Sequence, residues 1–211
     1  NYYHTHEFKK HFETQKYLVK LSKQINKFER THPILSICHG YENMLLIETN
    51  RSPIKKNIKD LFINVEAFNG YKTNPKFTKS GEKFRRLYNK SRKVIHNNRL
   101  AFSRKSFFKF KKLSKNIDIF ANSKDKHNKE FIEIIKYKRY PYYGFQAHPE
   151  RNNKELLIPF INDVKSGYKK RFLSKKTHKI KKLISGKKVL CKKYKLAKKT
   201  SKRKCCFYEL N

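Results

Sequence analysis

The chain has 211 residues and carries 54 Lys+Arg against 16 Asp+Glu, a formal net charge of +38. That length suits one domain, or one domain with a tail, and an aromatic content of 14% excludes a wholly disordered chain. There is no run of about 18 apolar residues to span a bilayer, and 4 Cys are too few to staple a disulfide-built scaffold.

Taken in chain order, the apolar residues Phe8, Phe12, Leu18, Leu21, Ile25 and Phe28 recur mostly at three- and four-residue steps and predict an amphipathic helix over Glu7–Phe28. Pro33–Ile37 is a short apolar run bounded by Pro and Gly and predicts a strand. Behind it, Gly40 permits a sharp turn, and Glu42–Glu48, with Met44, Leu45 and Leu46, begins a helix. The stretch from Arg51 to Asn116 is rich in Asn, Lys and Ser with scattered Phe, and has no clear period. Phe131–Tyr137 is β-branched and aromatic and predicts a strand. A further strand ends in His148, where Pro149 stops it. Leu157, Phe160, Ile161, Val164 and Tyr168 predict a second amphipathic helix. From Lys165 to Lys204 nearly half the residues are Lys or Arg and none is Asp or Glu, the composition of a solvated basic tail.

Two segments carry chemistry. In Pro33–Glu42 an apolar strand runs into Cys38, then Gly40, then a helix: the geometry of a nucleophile elbow, which lifts a side chain off a sheet edge. The amides and dipole of the following helix favour the thiolate, the reactive form of Cys38. The second segment, Tyr140–Glu150, ends in His148-Pro149-Glu150. A Cys and a distant His are the minimum set for thiol catalysis, and a carboxylate such as Glu150 can hold the imidazole tautomer.

These two phrases, above all Lys138–Asn152 with its Tyr-Pro before the strand and His-Pro-Glu after it, resemble the class I glutamine amidotransferase family, and within it the gamma-glutamyl hydrolases. The resemblance implies an α/β three-layer sandwich with a mostly parallel central sheet, over residues 1–172, followed by a Lys-rich extension over 173–211. It implies Cys38 as nucleophile, His148 as general base and acid, and Glu150 as the third member. Gly40 would allow the elbow, and the His39 amide would donate to the oxyanion. The implied reaction is hydrolysis of gamma-glutamyl bonds of folate polyglutamates through a thioester, with no cofactor and no metal. A lysosomal or extracellular location and a homodimer are implied on the same ground.

The departures are also informative. Family members begin with strand–helix units and a Gly-Gly turn that have no counterpart before Asn1, so the reading is of an N-terminally incomplete chain lacking the opening strands. His39 replaces a larger apolar residue, Ala147 replaces Trp, and Ser103 stands where a substrate-contacting His is expected. Together they mark a divergent copy whose activity has to be measured. Cys191, Cys205 and Cys206 lack the spacing of a zinc site, and His4, His6 and His11 read as surface residues. The competing reading is a non-catalytic protein binding nucleic acid or another polyanion through Lys165–Lys204. It ranks second because the tail interleaves few aromatics with its basic residues and holds no reader motif.

Overall fold

A computed structural model of the protein describes residues 6–28, 32–53 and 55–173. Helix α1 (His6–Asn26) lies where the apolar spacing predicts it, but its buried stripe passes through Phe8, Phe12, Val19, Ser22, Ile25 and Asn26. Leu18 is 52% exposed and Phe28, beyond the helix, 65%. A period of 3.6 carries the stripe seven residues from Phe12 to Val19 and leaves Leu18 about 100° round the helix. The two polar members of the stripe are satisfied. Asn26 donates from Nδ2 to the His32 carbonyl at 2.7 Å and accepts the His32 N–H on Oδ1 at 2.9 Å, while Tyr142 Oη donates to Ser22 Oγ at 2.9 Å. These bonds tie the end of α1 to the chain entering the first strand.

That strand, β1 (Ile34–Ile37), falls inside the expected run and is followed at once by α2 (His39–Glu48). The stretch without periodicity contains α3 (Lys55–Leu61), β2 (Phe62–Thr73), β3 (Lys76–Phe77), α4 (Glu82–Leu87), β4 (Val94–Phe102), α5 (Arg104–Lys109) and α6 (Lys111–Asn116). Then come β5 (Ile117–Lys124), β6 (Glu130–Tyr137) and β7 (Tyr142–Phe145). A short α7 (Pro149–Asn152) and α8 (Ile158–Leu173) complete the described chain.

Five strands form one sheet in the order β1-β7-β6-β5-β3, and β2 pairs with β4 in a separate ribbon. The α/β class expected from the resemblance is found. Among the described strands, parallel pairing is confined to β1 and β7, with Ile34 opposite Tyr142 and Ile37 opposite Phe145; β7-β6-β5-β3 run antiparallel. Helices cover both faces. Phe12 and Val19 of α1, Tyr41 and Leu45 of α2, and Phe107 of α5 pack with Ile132, Ile135 and Tyr142. On the other face Phe84 of α4 and Leu156 pack with Ile134, Tyr143 and Phe145. Adjacent Tyr142 and Tyr143 therefore serve opposite layers, as alternate strand positions must, and a strand buried on both faces reads as an unbroken apolar run.

Gly144 sets how closely α2 approaches this sheet. A Cβ there would lie 2.5 Å from Tyr41 Cδ2 and 2.8 Å from Ile135 Cγ1, so only glycine admits the Tyr41 ring at this height. At the far end, Leu156 is buried before α8 begins, whereas Ile161 and Val164, expected on the apolar face, are exposed. No helix among the described residues is long and apolar enough to cross a membrane. Lys165 to Leu173 continue α8, while the rest of the Lys-rich stretch, the extension expected over 173–211 and Cys191, Cys205 and Cys206 lie outside the described residues, apart from Leu173 itself.

Candidate active site

Strand β1 ends at Ile37 and α2 starts at His39, so one residue must reverse the chain. Cys38 does so with φ 53° and ψ −113°. This is positive-φ backbone far from the left-handed well near ψ of about +47°, and costs on the order of 1–3 kcal/mol for a residue with a Cβ. Its neighbours hold it there: the Cys38 N–H donates to the Phe145 carbonyl at 2.7 Å, and its own carbonyl accepts the Glu42 N–H at 3.2 Å. Gly40, expected to make the turn, sits inside α2 instead. A Cβ on it would meet nothing nearer than Gln15 Nε2 and Ser36 Cβ at 3.9 Å, ordinary contact distances. The tight turn is carried by the cysteine itself, because the helix begins one residue after it.

The His39 N–H and the Asn98 side chain both donate to the sulfur, Asn98 from Nδ2 at 3.5 Å. These donors favour the thiolate but do not prevail. Burial, then the Glu42 carboxylate, with Glu150 adding to them, push the Cys38 thiol up to about 11. The sequence expectation of a thiolate activated by the helix start is thus reversed at rest by desolvation and two carboxylates. The sulfur carries its proton at neutral pH, and attack requires a base. Folding stability follows the same shift. The unfolded chain ionises this thiol first, so its contribution is full below pH 9 and is lost as pH rises through about 11.

Replacing Glu42 with glutamine removes the second of these causes and leaves the first. Peptide-resolved iodoacetamide labelling should then show Cys38 reacting about five- to tenfold faster near pH 8, with its titration midpoint lowered. Unchanged labelling would show that burial alone holds the proton.

A histidine stands just beyond the end of the neighbouring strand. β7 ends at Phe145, three residues before His148, rather than at His148 as the sequence suggests. Gln146 and Ala147 bend the chain, and Pro149 opens α7 instead of merely stopping a strand. The bend is clamped from two sides. Gln146 and Ala147 donate their N–H groups to the Glu133 carbonyl at 2.8 Å and the Glu133 carboxylate at 2.9 Å, and the His148 N–H donates to the Ile95 carbonyl at 2.8 Å. Glu133 is itself buried beside His96, 3.3 Å from its Nε2, and that nitrogen also lies 2.9 Å from Thr73 Oγ1. His148 Nδ1 stands 2.8 Å from Glu150 Oε1. Because β1 and β7 are parallel neighbours, their C-terminal ends share one edge of the sheet. Cys38, His148 and Glu150 are gathered there, near enough for the Glu150 charge to act on the Cys38 thiol.

The His39 ring serves the framework. Its Nδ1 lies 3.1 Å from Glu42 Oε2 and its ring packs at a tilt against Phe8, 4.8 Å between centroids, while Gln146 Nε2 donates to Glu42 Oε1 at 3.1 Å. The β2–β4 ribbon supplies the facing wall of a cavity of about 620 Å³ lined in part by Cys38, His39, Phe68, Asn98, Arg99 and Leu100. Asn98 is almost fully buried, and its amide is oriented by the Asn97 N–H, which donates to Oδ1 at 3.1 Å and leaves Nδ2 for the sulfur. It can equally serve an oxygen gaining negative charge next to that sulfur. Nothing in the sequence marks Asn98, since an Asn in an Asn-rich stretch has no distinguishing pattern. Ser103, expected at the place of a substrate-contacting residue, caps α5 by accepting the Ser106 N–H at 3.1 Å and is not among the residues lining the cavity. Among the described residues no cluster of His, Cys, Asp and Glu could hold a metal ion.

The sequence profile of the family described as glutamine amidotransferase class-I matches residues 11–162, a span that contains Cys38, His148 and Glu150. No curated protein matches the chain. Among solved structures, a GMP synthase subunit from Thermoplasma acidophilum is similar at 18% identity and a TM-score of 0.45, over 74% of this chain and 69% of that one. With the family profile running through most of its length and across both strand ends that build the site, this chain belongs to the glutamine amidotransferase class-I family.

Proposed function

We propose that the chain is a cysteine-dependent hydrolase of gamma-glutamyl bonds, with folate polyglutamates as its substrate class. The observation that carries this is the strained Cys38 at the end of β1, set beside the His148–Glu150 pair at the end of the adjacent parallel strand. His148 takes the thiol proton as Sγ bonds to the gamma-carbonyl carbon. The His39 amide and Asn98 Nδ2 receive the charge that develops on the carbonyl oxygen. Collapse of that intermediate breaks the C–N bond, and His148 returns the proton to the leaving amine, giving a thioester and a shortened product. Water, deprotonated by His148, then hydrolyses the thioester and restores the thiol. Glu150 holds the His148 tautomer and steadies the imidazolium. The preference for a gamma-glutamyl chain over free glutamine is supported by the wording of Lys138–Asn152, and a basic surface also attracts a polyglutamate chain. The same resemblance favours action in the lysosome or outside the cell.

The purified chain should release glutamate from gamma-linked diglutamate, and Cys38→Ala should release none. Ammonia from glutamine without cleavage of the dipeptide would replace this reading with that of a glutaminase. Salt-sensitive retention on a phosphate polymer with neither activity would favour the polyanion-binding reading.

A further inference from the structure

We propose that Arg99 captures the α-carboxylate of the substrate, so that the site selects acyl groups bearing an anionic carboxylate near the carbonyl that Cys38 attacks. This deepens the hydrolase reading and rests on it for the identity of the acyl group. The geometry begins on β4, where Asn98 and Arg99 are consecutive and both line the Cys38 cavity. Asn98 reaches the sulfur from the buried face of the strand, while Arg99, on the alternate and solvent-exposed face, lines the same cavity.

Among the residues lining that cavity, Arg99 carries the permanent positive charge. The negative charge there belongs to Glu42, whose two oxygens are engaged by His39 and Gln146. Among the described residues no carboxylate forms an ion pair with Arg99, Arg104, Arg139 or Arg151, and of these four it is Arg99 that lines the cavity; Arg51, Arg85, Arg86 and Arg92 each have a partner. Its guanidinium instead lies over the Phe68 ring, Cζ 5.1 Å from the centroid. A guanidinium attracted to an aromatic face still has edge N–H groups available in a fork that fits a carboxylate. Lys126 also approaches Phe68, at 6.0 Å, but its charge is taken by Glu66. A gamma-glutamyl group carries its carboxylate on a three-carbon arm from the scissile carbonyl, so the carboxylate is assigned to Arg99 and the carbonyl to Cys38.

Two measurements separate this proposal from the activity beneath it. The first needs no turnover: alkylation of Cys38 by anionic iodoacetate and by neutral iodoacetamide, read on the Cys38 peptide at alkaline pH. In both reactions the sulfur displaces iodide, so the ratio of the two rates reports how strongly the site draws in a carboxylate. Arg99→Gln should lower that ratio about threefold or more, whereas Arg99→Lys and Arg86→Gln should change it less than twofold. Arg86→Gln removes the same charge from an exposed position outside the cavity. The second uses a gamma-glutamyl anilide and its α-carboxamide analogue. Arg99→Gln should raise KM for the first about tenfold with kcat little altered, and leave the second unchanged. An alkylation ratio in Arg99→Gln equal to that in Arg86→Gln would overturn the proposal. If neither anilide is cleaved by the unaltered protein, the hydrolase reading falls and the alkylation ratio alone decides Arg99.

Discussion

Cys38→Gly should be more stable than Cys38→Ala by about 1–2 kcal/mol, and both should be inactive. The two variants lose the same sulfur and its bonds, so their difference isolates the backbone. At φ 53° and ψ −113° an alanine keeps the Cβ that makes this conformation costly, and a glycine does not. Glycine inside regular structure normally ranks below alanine by about 0.5–1 kcal/mol, so the expected order is inverted. For a chain of this size each kcal/mol corresponds to about 2–4 °C in Tm, within reach of a thermal melt. Should the alanine variant melt at or above the glycine variant, the turn at Cys38 stores no strain and the elbow reading loses its physical basis. The expected result also explains why a strained cysteine persists: Gly144 lets α2 sit close on the sheet, Phe145 and Glu42 hold the turn from either side, and the fold overrides the local preference.

His148→Asn should lower kcat by about 10²–10⁴-fold while Tm moves by no more than about a degree, since the bond from this residue to Ile95 is made by the backbone. The loss is large because the resting thiol carries its proton, held up to about 11, so no preformed thiolate can substitute for the base. The same fact gives a signature that a structural role would not. Activity of His148→Asn should climb with pH as the thiol ionises unaided, narrowing the gap to the unaltered protein. Glu150→Gln should cost less, about ten- to a hundredfold, because a side chain 41% exposed is partly screened by water. Wild-type kcat in His148→Asn across neutral pH would remove His148 from the mechanism.

How far the sequence reaches differs from element to element. α1 and α8 are legible from the helical spacing of their apolar residues, although α8 leaves Ile161 and Val164 exposed, and β1 and β6 from short apolar or β-branched runs. Even there the register slips. Leu18 and Val19 are both apolar, and only packing on the sheet shows which one is buried. The strand leading to His148 ends three residues earlier than its sequence suggests, because a chain clamped by Glu133 and Ile95 can bend without any Gly or Pro to signal it. Between Arg51 and Asn116 the β2–β4 ribbon has irregular register, with shifts between Asn64 and Ala67 and between Ala67 and Tyr71, and such breaks erase the alternation that marks a strand. On β4 the burial still alternates, but inward positions are the polar His96 and Asn98, so no apolar pattern marks them or Arg99.

By itself the sequence determined which side chains are available for chemistry, a Cys closing an apolar run and a His-Pro-Glu phrase far downstream, together with the helical and extended periods that frame them. Only the tertiary structure decided their state and their company. Parallel pairing of β1 with β7 brings residues 38 and 148 to one sheet edge, a non-local contact that no spacing encodes. Burial and the carboxylates of Glu42 and Glu150 keep protonated a thiol whose ionised form the helix start favours, because desolvation depends on what packs around a group and not on its neighbours in sequence. Of the many cations behind the charge of +38, the structure brings one, Arg99, to the lining of the cavity that holds the cysteine.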